Sequence, residues 1–421
     1  MREVLIETKG SRVLGGQIQK LLAKLAPAVQ EAKTISASAD YSSPQSFLKL
    51  PVDKNLLHAV KKAARDYTRV DALVVIGIGG SELGTLAVQQ AIGLQHQKLL
   101  VHYLDSVDPA IMRATLEQLK HNKHVLVNII TKSGTTTESI ANATILLHEL
   151  EKRKTKHHIV VTTTCTSKLA HWASQNKIPV LHIPEQVSGR FSVFTPVGLF
   201  PLAVMGVNLQ ELRAGATQML KRCLRQENNP ATLSAAHLYT HVMHGDRIHE
   251  TFLFSQSLEA LGKWYRQLMA ESLGKARTLG NKKVRHAFTP TVAVGTTDLH
   301  SELQLTLTHG SEVFTTFVTV MNQPRITIPQ TTLSQLVPGL AGKKLAKVRE
   351  AIFHAVQHVY VKHQLPFVHI ELPDQSANSI GQFLQFKMME TLYLGALLDV
   401  NVFDQPAVEE YKERTRELLS S

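Results

Sequence analysis

Two loops rich in glycine and hydroxyl side chains are the segments of this sequence best suited to bind an anion. The first, VVIGIGGSELG (74–84), joins an apolar strand pattern to a helical pattern. Its glycines let the backbone approach a ligand, and the helix N-terminus that follows offers unpaired N–H groups. A dinucleotide fingerprint would need Gly in place of Glu82, and a Walker A loop would need Lys in place of Thr85. Two interpretations of this loop remain: a turn that binds an anion, and a plain strand–helix turn without a ligand.

The second loop, NIITKSGTTTES (128–139), places several hydroxyls around one lysine. The hydroxyls belong to Thr131, Ser133 and 135–137, and Lys132 lies among them. A phosphate monoester requires such hydroxyls together with the N–H groups of a helix N-terminus. One Thr would be an ordinary helix cap, but so dense a cluster predicts a phosphate site. Both loops follow strands of one predicted sheet and so lie at its carboxyl edge, where α/β folds bind ligands.

Two further segments carry an arginine and a carboxylate. Arg190, in EQVSGRFSVFTPVG, could form a surface ion pair or stabilise a developing negative charge. Glu271, in KWYRQLMAESLGK, lies one helical turn after Gln267, and Gly274 predicts that the helix ends just beyond it. A helical Glu by itself is usually a solvated side chain, so the residue type alone does not assign a role.

The remaining candidates also have ordinary explanations when they are taken singly. His300, in GTTDLHSELQ, follows a predicted strand, and Gln405 and Lys412 flank the start of the last predicted helix in GALLDVNVFDQPAVEEYK. His354 and His358 have the i, i+4 spacing of a zinc protease, but the Glu of H-E-x-x-H is missing, so no metal site is predicted.

Short apolar runs alternate with stretches of helical spacing over most of the chain. Strand runs that are apolar on both faces, separated by helices, predict parallel sheets with helices on both sides. The fold class is α/β: two tandem α/β/α sandwich domains with parallel-rich sheets, an N-terminal arm and a C-terminal helix. The predicted strands are 72–78, 98–104, 124–131, 158–163 and 179–183, then 251–255, 291–295, 313–320 and 367–372.

Length and charge limit the classes of protein that fit. At 421 residues the chain exceeds a single core, and we expect an N-terminal helical arm (1–65), two domains (66–225 and 226–400) and a C-terminal helical segment (401–421). The net charge of +12 attracts anions, but the sequence lacks a basic stripe with interleaved aromatics that would indicate nucleic-acid binding.

Cysteine content and hydropathy favour a cytoplasmic protein. Cys165 and Cys223 are the two cysteines, which excludes a disulfide framework or a cysteine zinc cluster and fits a reducing compartment. Cys165 has no evident basic neighbour in the sequence and is expected to be an inert core thiol. No apolar run is long enough to span a bilayer, and the N-terminus lacks a secretory signal, so no membrane partner is expected.

Together the six segments resemble the glucose-6-phosphate isomerase family in its shorter bacterial form, from about Ala72 to Lys412. SGRFSVFTPVG is similar to the family's first signature, and GALLDVNVFDQPAVEEYK is similar to its C-terminal signature. The resemblance implies two SIS-type (sugar isomerase) domains. It also implies reversible isomerisation of glucose 6-phosphate to fructose 6-phosphate in glycolysis and gluconeogenesis. Ring opening and a cis-enediol(ate) are expected, without cofactor or metal.

The resemblance also implies a role for each matching residue. Glu271 would move the proton between C1 and C2, Arg190 would stabilise the enediolate, and His300 with Lys412 would open the ring. Departures from the family pattern are Ser188, where Gly is usual, and Leu273, where a polar residue is usual, and both could shift local geometry. Phosphate contacts are expected from Ser81, Thr131, Lys132, Ser133 and Thr136, and further substrate contacts from Gly80, Gln267 and Gln405.

In the resembled family the residue that matches His300 enters the neighbouring subunit's cleft, so a homodimer with shared active sites is expected. Two rival functions use the same fold: another sugar-phosphate isomerase, and a non-catalytic regulator that binds sugar phosphates. The C-terminal signature with Lys412 argues against the first, and the presence of Glu271, Arg190 and His300 argues against the second.

Overall fold

The computed structural model describes residues 3–38, 40–93 and 99–420. Its strands are β1 Leu5–Glu7, β2 Ala72–Ile76, β3 Leu100–Leu104, β4 His124–Ile130, β5 Lys156–Thr163, β6 Val180–His182, β7 Ile248–Leu253, β8 Thr289–Val294, β9 Val313–Val320 and β10 Phe367–Leu372. Its helices are α1 Gly15–Ala37, α2 Lys54–Ala64, α3 Leu83–Ala91, α4 Pro109–Gln118, α5 Thr137–Lys152, α6 Lys168–Gln175, α7 Pro196–Val204, α8 Leu209–Cys223, α9 Pro230–His244, α10 Glu259–Leu273, α11 Leu303–His309, α12 Leu345–Lys362, α13 Ala377–Leu398 and α14 Glu409–Ser420.

The first sheet has the order β3-β2-β4-β5-β6, and all its strand pairs are parallel. Every residue of β2 is buried, as its unbroken apolar run predicts for a strand covered on both faces. The five predicted strands of this half are confirmed, four with shorter ends and β5 beginning two residues earlier than predicted. Lys98, where the second of them was predicted to begin, lies outside the described residues.

The second sheet has the order β1-β10-β9-β7-β8, with four parallel strands and β1 antiparallel on its edge. The α/β fold class with parallel-rich sheets is therefore confirmed. The N-terminal arm contains helices α1 and α2, but it also contains a strand that the sequence did not predict, because β1 pairs with β10 through Leu5 and Glu371. Three residues of strand are too few to leave a periodic signal in the sequence.

A tight crossing of α8 and α13 lies at the centre of the molecule. A Cβ added to Gly381 would lie 1.9 Å from the carbonyl oxygen of Leu212, and one added to Gly215 would lie 1.9 Å from that of Asn378. The two helices can approach this closely only because both positions lack a side chain. Lys387 of α13 pairs with Glu390 at 3.0 Å, and both side chains are fully buried. Tyr265 of α10 donates to Glu390 at 2.5 Å, which fixes α10 against this central helix.

The predicted C-terminal helix is confirmed as α14. Asn229 accepts hydrogen bonds from the first N–H groups of α9. Cys165 is exposed on the loop between β5 and α6, so the expectation of a core thiol was wrong. In residues 3–38, 40–93 and 99–420, no helix has both the length and the apolar character to cross a bilayer.

Candidate active site

The glycine loop after β2 packs directly on the turn that carries Arg190. A Cβ on Gly80 would lie 2.2 Å from the carbonyl carbon of Gly189 and 2.6 Å from the amide nitrogen of Arg190. Ser192 fixes this contact by donating to the carbonyl oxygens of Gly80 at 3.1 Å and Gly189 at 2.7 Å. Gly79 has φ +59°, a conformation that favours glycine. The glycines of the motif therefore permit two backbone segments to touch beside Arg190.

The Arg190 guanidinium is buried and uses all of its nitrogens. Its Nε donates to Ser272 at 2.8 Å, and its Nη1 donates to Glu271 at 3.2 Å and Gln405 at 2.7 Å. Its Nη2 donates to the carbonyl oxygens of Val402 at 2.6 Å and Asp404 at 3.0 Å. Burial lowers the pKa of Arg190, and the Glu271 carboxylate opposes that effect. One cation thus joins α10 to the segment before α14.

The Glu271 carboxylate is held at both oxygens and is still reachable from solvent. Gln267 donates to Oε1 at 2.8 Å, Arg190 contacts Oε2 at 3.2 Å, and the Glu271 side chain is 31% exposed. The ammonium of Lys275 donates to the Glu271 carbonyl oxygen at 2.9 Å, near the predicted end of the helix. A carboxylate that is fixed, accessible and next to a buried cation can remove a proton from a bound molecule and stabilise the resulting anion.

The hydroxyl loop after β4 gathers its side chains at the start of α5. The Thr131 and Thr136 hydroxyls lie 2.7 Å apart, and each lies 3.5 Å from the Ser133 hydroxyl. Thr136 occupies the N-cap position but its side chain bonds no N–H group of the helix. Those N–H groups are therefore not satisfied by a side-chain cap, which suits an anion. Burial is the main cause that lowers the pKa of Lys132, and Arg190 acts in the same direction.

The structure does not bring every predicted site residue into contact. Ser81 lies half-buried in the turn after β2, and Gln405 meets Arg190 as described. His300 is exposed in a 3₁₀ turn after β8, and Lys412 donates to Glu409 at 2.7 Å on α14. Within the described part of the chain, no hydrogen bond or ion pair joins either side chain to another predicted site residue.

Four groups around the site were missed by the sequence analysis. Ser272 and the carbonyl oxygens of Val402 and Asp404 hold Arg190, and Lys275 bonds Asp404 at 2.9 Å. Backbone carbonyls leave no trace in residue type, so only the structure could reveal them. No group of three His, Cys, Asp or Glu side chains is arranged to hold a metal ion among residues 3–38, 40–93 and 99–420.

The fold defines the class of protein to which the chain is similar. Tagatose-6-phosphate ketose/aldose isomerase from Escherichia coli superimposes with a TM-score of 0.51 at 14% identity, covering 88% of this chain and 96% of that one. At this identity the likeness shows that the two chains share an α/β fold.

The family follows from the sequence comparisons. The phosphoglucose isomerase family model matches residues 54–421. Glucose-6-phosphate isomerase from Carboxydothermus hydrogenoformans is 34% identical over 378 residues, which cover 86% of this chain and 81% of that protein. A crystal structure of a glucose-6-phosphate isomerase from Chlamydia trachomatis has a TM-score of 0.86 at 19% identity, covering 99% and 88% of the two chains. The chain belongs to the phosphoglucose isomerase family and is an isomerase, as the resemblance of its motifs predicts.

Proposed function

We propose that the site formed by Arg190 and Glu271 performs the family's reaction, the reversible isomerisation of glucose 6-phosphate to fructose 6-phosphate. The observation that carries this proposal is the Glu271 carboxylate, which is accessible and held by Gln267 and by a fully buried arginine. Aldose–ketose isomerisation requires one base that moves a proton between neighbouring carbons and one cation beside the developing enediolate oxygen. Both are present within one hydrogen bond of each other.

In the forward direction Glu271 takes the proton from C2 of the open-chain aldose and returns it to C1. Arg190 stabilises the negative charge that develops on the enediolate oxygen between these two steps. His300 and Lys412 are proposed to open the ring before proton transfer. None of these steps changes the oxidation state of the whole molecule, so the proposed reaction uses no redox cofactor, and no metal is assigned to it.

The hydroxyl loop is the proposed phosphate site. Ser133 and Thr136 converge with Thr131 at an N-terminus without a side-chain cap, and the Lys132 ammonium adds positive charge. The groups that we assign to the substrate are Ser81, Thr131, Lys132, Ser133 and Thr136 for the phosphate, with Gly80, Gln267 and Gln405 as further contacts.

We also propose that the chain acts in the cytoplasm as a homodimer with shared active sites. Two features support an assembly that covers them: the exposed His300 and, elsewhere in the chain, the apolar side chains of Leu333 and Leu336, each 75% exposed. We propose that the chain is divided into an N-terminal arm (1–65), two domains (66–225 and 226–400) and a C-terminal segment (401–421).

A coupled assay tests the proposed reaction. Purified protein is supplied with fructose 6-phosphate, with mannose 6-phosphate in parallel and with a chelator present. Turnover of fructose 6-phosphate that is insensitive to the chelator is expected. Preference for mannose 6-phosphate would instead support another sugar-phosphate isomerase, and binding without turnover would support a regulator.

Mixing inactive variants tests the shared sites. If His300 acts across the interface, a dimer of one His300→Ala and one Glu271→Gln subunit has one intact site. Random 1:1 mixing should then restore about a quarter of wild-type activity, since about half of the dimers are mixed. A mixture that stays inactive, or a fully active monomer in dilute solution, would contradict this model.

A further inference from the structure

Glu185 lies beside the proposed phosphate loop and is held there by the neighbouring loop between β5 and α6. Thr166 donates to Glu185 Oε1 at 3.0 Å, and the Cys165 thiol lies 3.6 Å from the same oxygen. Thr164, in the same loop, donates to the carbonyl oxygen of Lys132 at 3.0 Å. One loop therefore positions both the Glu185 carboxylate and the backbone of Lys132 in the hydroxyl loop.

Glu185 is the acidic side chain whose charge acts on the Lys132 ammonium. Lys132 makes no ion pair within the residues that the structure describes. Burial lowers the pKa of Lys132 most, the Glu185 carboxylate raises that pKa, and the Arg190 guanidinium lowers it. Glu185 makes no ion pair in the same part of the chain, so its charge is not neutralised by a second cation.

We propose that Glu185 is an affinity-setting residue that weakens the binding of a phosphate dianion at the hydroxyl loop. A phosphate that approaches Lys132 brings negative charge toward the tethered carboxylate, and the repulsion offsets part of the attraction from the ammonium. The phosphate is remote from C1 and C2, so the repulsion is the same in ground and transition states and acts on KM rather than kcat. This inference rests on the proposed phosphate site.

The test measures kcat and KM for fructose 6-phosphate and the inhibition constant of inorganic phosphate for wild type and Glu185→Gln. In the variant, KM and the inhibition constant should fall together by about two- to fivefold, the scale of one solvent-exposed charge interaction. Its kcat should stay close to that of the wild type. The difference should shrink at high ionic strength, because salt screens exposed charges.

Two further variants separate charge from structure. Glu185→Asp keeps the charge and should behave like the wild type. Glu259→Gln makes the same charge change on the exposed start of α10 and should leave the inhibition constant unchanged. A Glu185→Gln inhibition constant that is equal to or above the wild-type value would overturn this inference, provided that phosphate inhibits the wild type competitively. If phosphate inhibits neither protein, the proposed phosphate site itself is wrong, and the inference falls with it.

Discussion

The carboxyl edges of the two sheets have the same topology and different chemistry. In the first sheet the strand order reverses between β2 and β4, and in the second it reverses between β7 and β9. Crevices at such reversal points are the usual ligand sites of open α/β sheets. The first point carries the glycine loop and the hydroxyl loop, whereas the second carries Ser257 after β7 and Asn322 with Gln323 after β9.

The second edge contains a cavity of about 420 Å³, and none of the described residues that line it has a charged side chain. Its polar groups are those of Ser257, Asn322, Gln323 and Gln375, and Gln375 already donates to the carbonyl oxygen of Ala91 and to Ser257. The first edge has charged groups and a glycine turn that lets Gly80 touch the turn of Arg190. The topology therefore provides two equivalent crevices. The first is suited to a phosphorylated substrate because it has charged groups and because Gly80 allows the backbone to approach the turn of Arg190.

The largest expected effect is that of Glu271→Gln, which removes the only carboxylate assigned to chemistry at the first edge. We expect kcat to fall by at least about 10²-fold, the scale of general base catalysis, with little change in fold. Glu259→Gln on the same helix is the matched control and should keep full activity, because Glu259 is at the surface and pairs with Lys263 at 2.7 Å. Near wild-type turnover in Glu271→Gln would remove Glu271 from the mechanism.

Gly80→Ala tests the close approach of the two backbone segments. Its methyl group would lie 2.2 Å from the backbone of Gly189, so one segment must move, and Arg190 moves with it. A displacement of about 1 Å at a reacting group can lower turnover by about 10²-fold, and we expect a loss of at least tenfold on that basis. Gly16→Ala on α1, where an added Cβ meets nothing within 4 Å, should leave activity unchanged. Full activity in Gly80→Ala would show that the contact does not position Arg190.

Thr136→Val tests whether the carboxyl edge of the first sheet, and not that of the second, binds the phosphate. Loss of one hydrogen bond to a charged group weakens binding by about 1.5–3 kcal/mol, so KM should rise about tenfold or more while kcat changes little. Ser257→Ala removes a hydroxyl from the equivalent edge of the second sheet and should leave KM unchanged. Steady-state kinetics of both variants give the answer. A larger change in KM for Ser257→Ala than for Thr136→Val would reverse the assignment of the two edges.

The α/β fold and the positions of the glycine and hydroxyl loops could be predicted because both depend on residue pattern, whereas the roles of Glu271, Arg190 and His300 came from the family resemblance and stay predictions. Apolar strand runs and glycine or hydroxyl loops are local features, and their order alone indicated which loops share a sheet edge. The sequence could not show that Arg190 is held by the carbonyl oxygens of Val402 and Asp404, since backbone groups are the same at every residue. It also could not show that Cys165 is exposed, because burial of a single thiol depends on the loop around it.

Glu82 and Glu259 occupy equivalent positions, at the starts of the helices α3 and α10 that follow β2 and β7. The smallest effect on turnover is expected for a substitution of Glu82. Glu82 is 4% exposed, and its Oε2 has no hydrogen-bond partner among the described residues. Burial, with a smaller contribution from the Asp105 charge, raises the pKa of Glu82 to about 8. Glu82 is therefore neutral in the folded protein near pH ~7, where the unfolded chain carries its charge. Because Gln is also neutral and similar in shape, Glu82→Gln should keep wild-type turnover at that pH.

The contribution of Glu82 to stability has a definite sign. Its pKa is raised from 4.5 to about 8 on folding, so between these values the folded state binds one proton more than the unfolded state. Stability from this group is then lost as pH rises, by up to about 1.4 kcal/mol per pH unit. The free energy of unfolding can be measured with urea at several pH values within this window. Relative to the wild type, Glu82→Gln should become more stable with each increase in pH, whereas the stability of Glu259→Gln should change with pH as the wild type does. If the difference in unfolding free energy between Glu82→Gln and the wild type stays constant with pH, the buried carboxyl is not protonated in the folded protein. Glu82 at the start of α3 would then be charged, as Glu259 is at the start of α10.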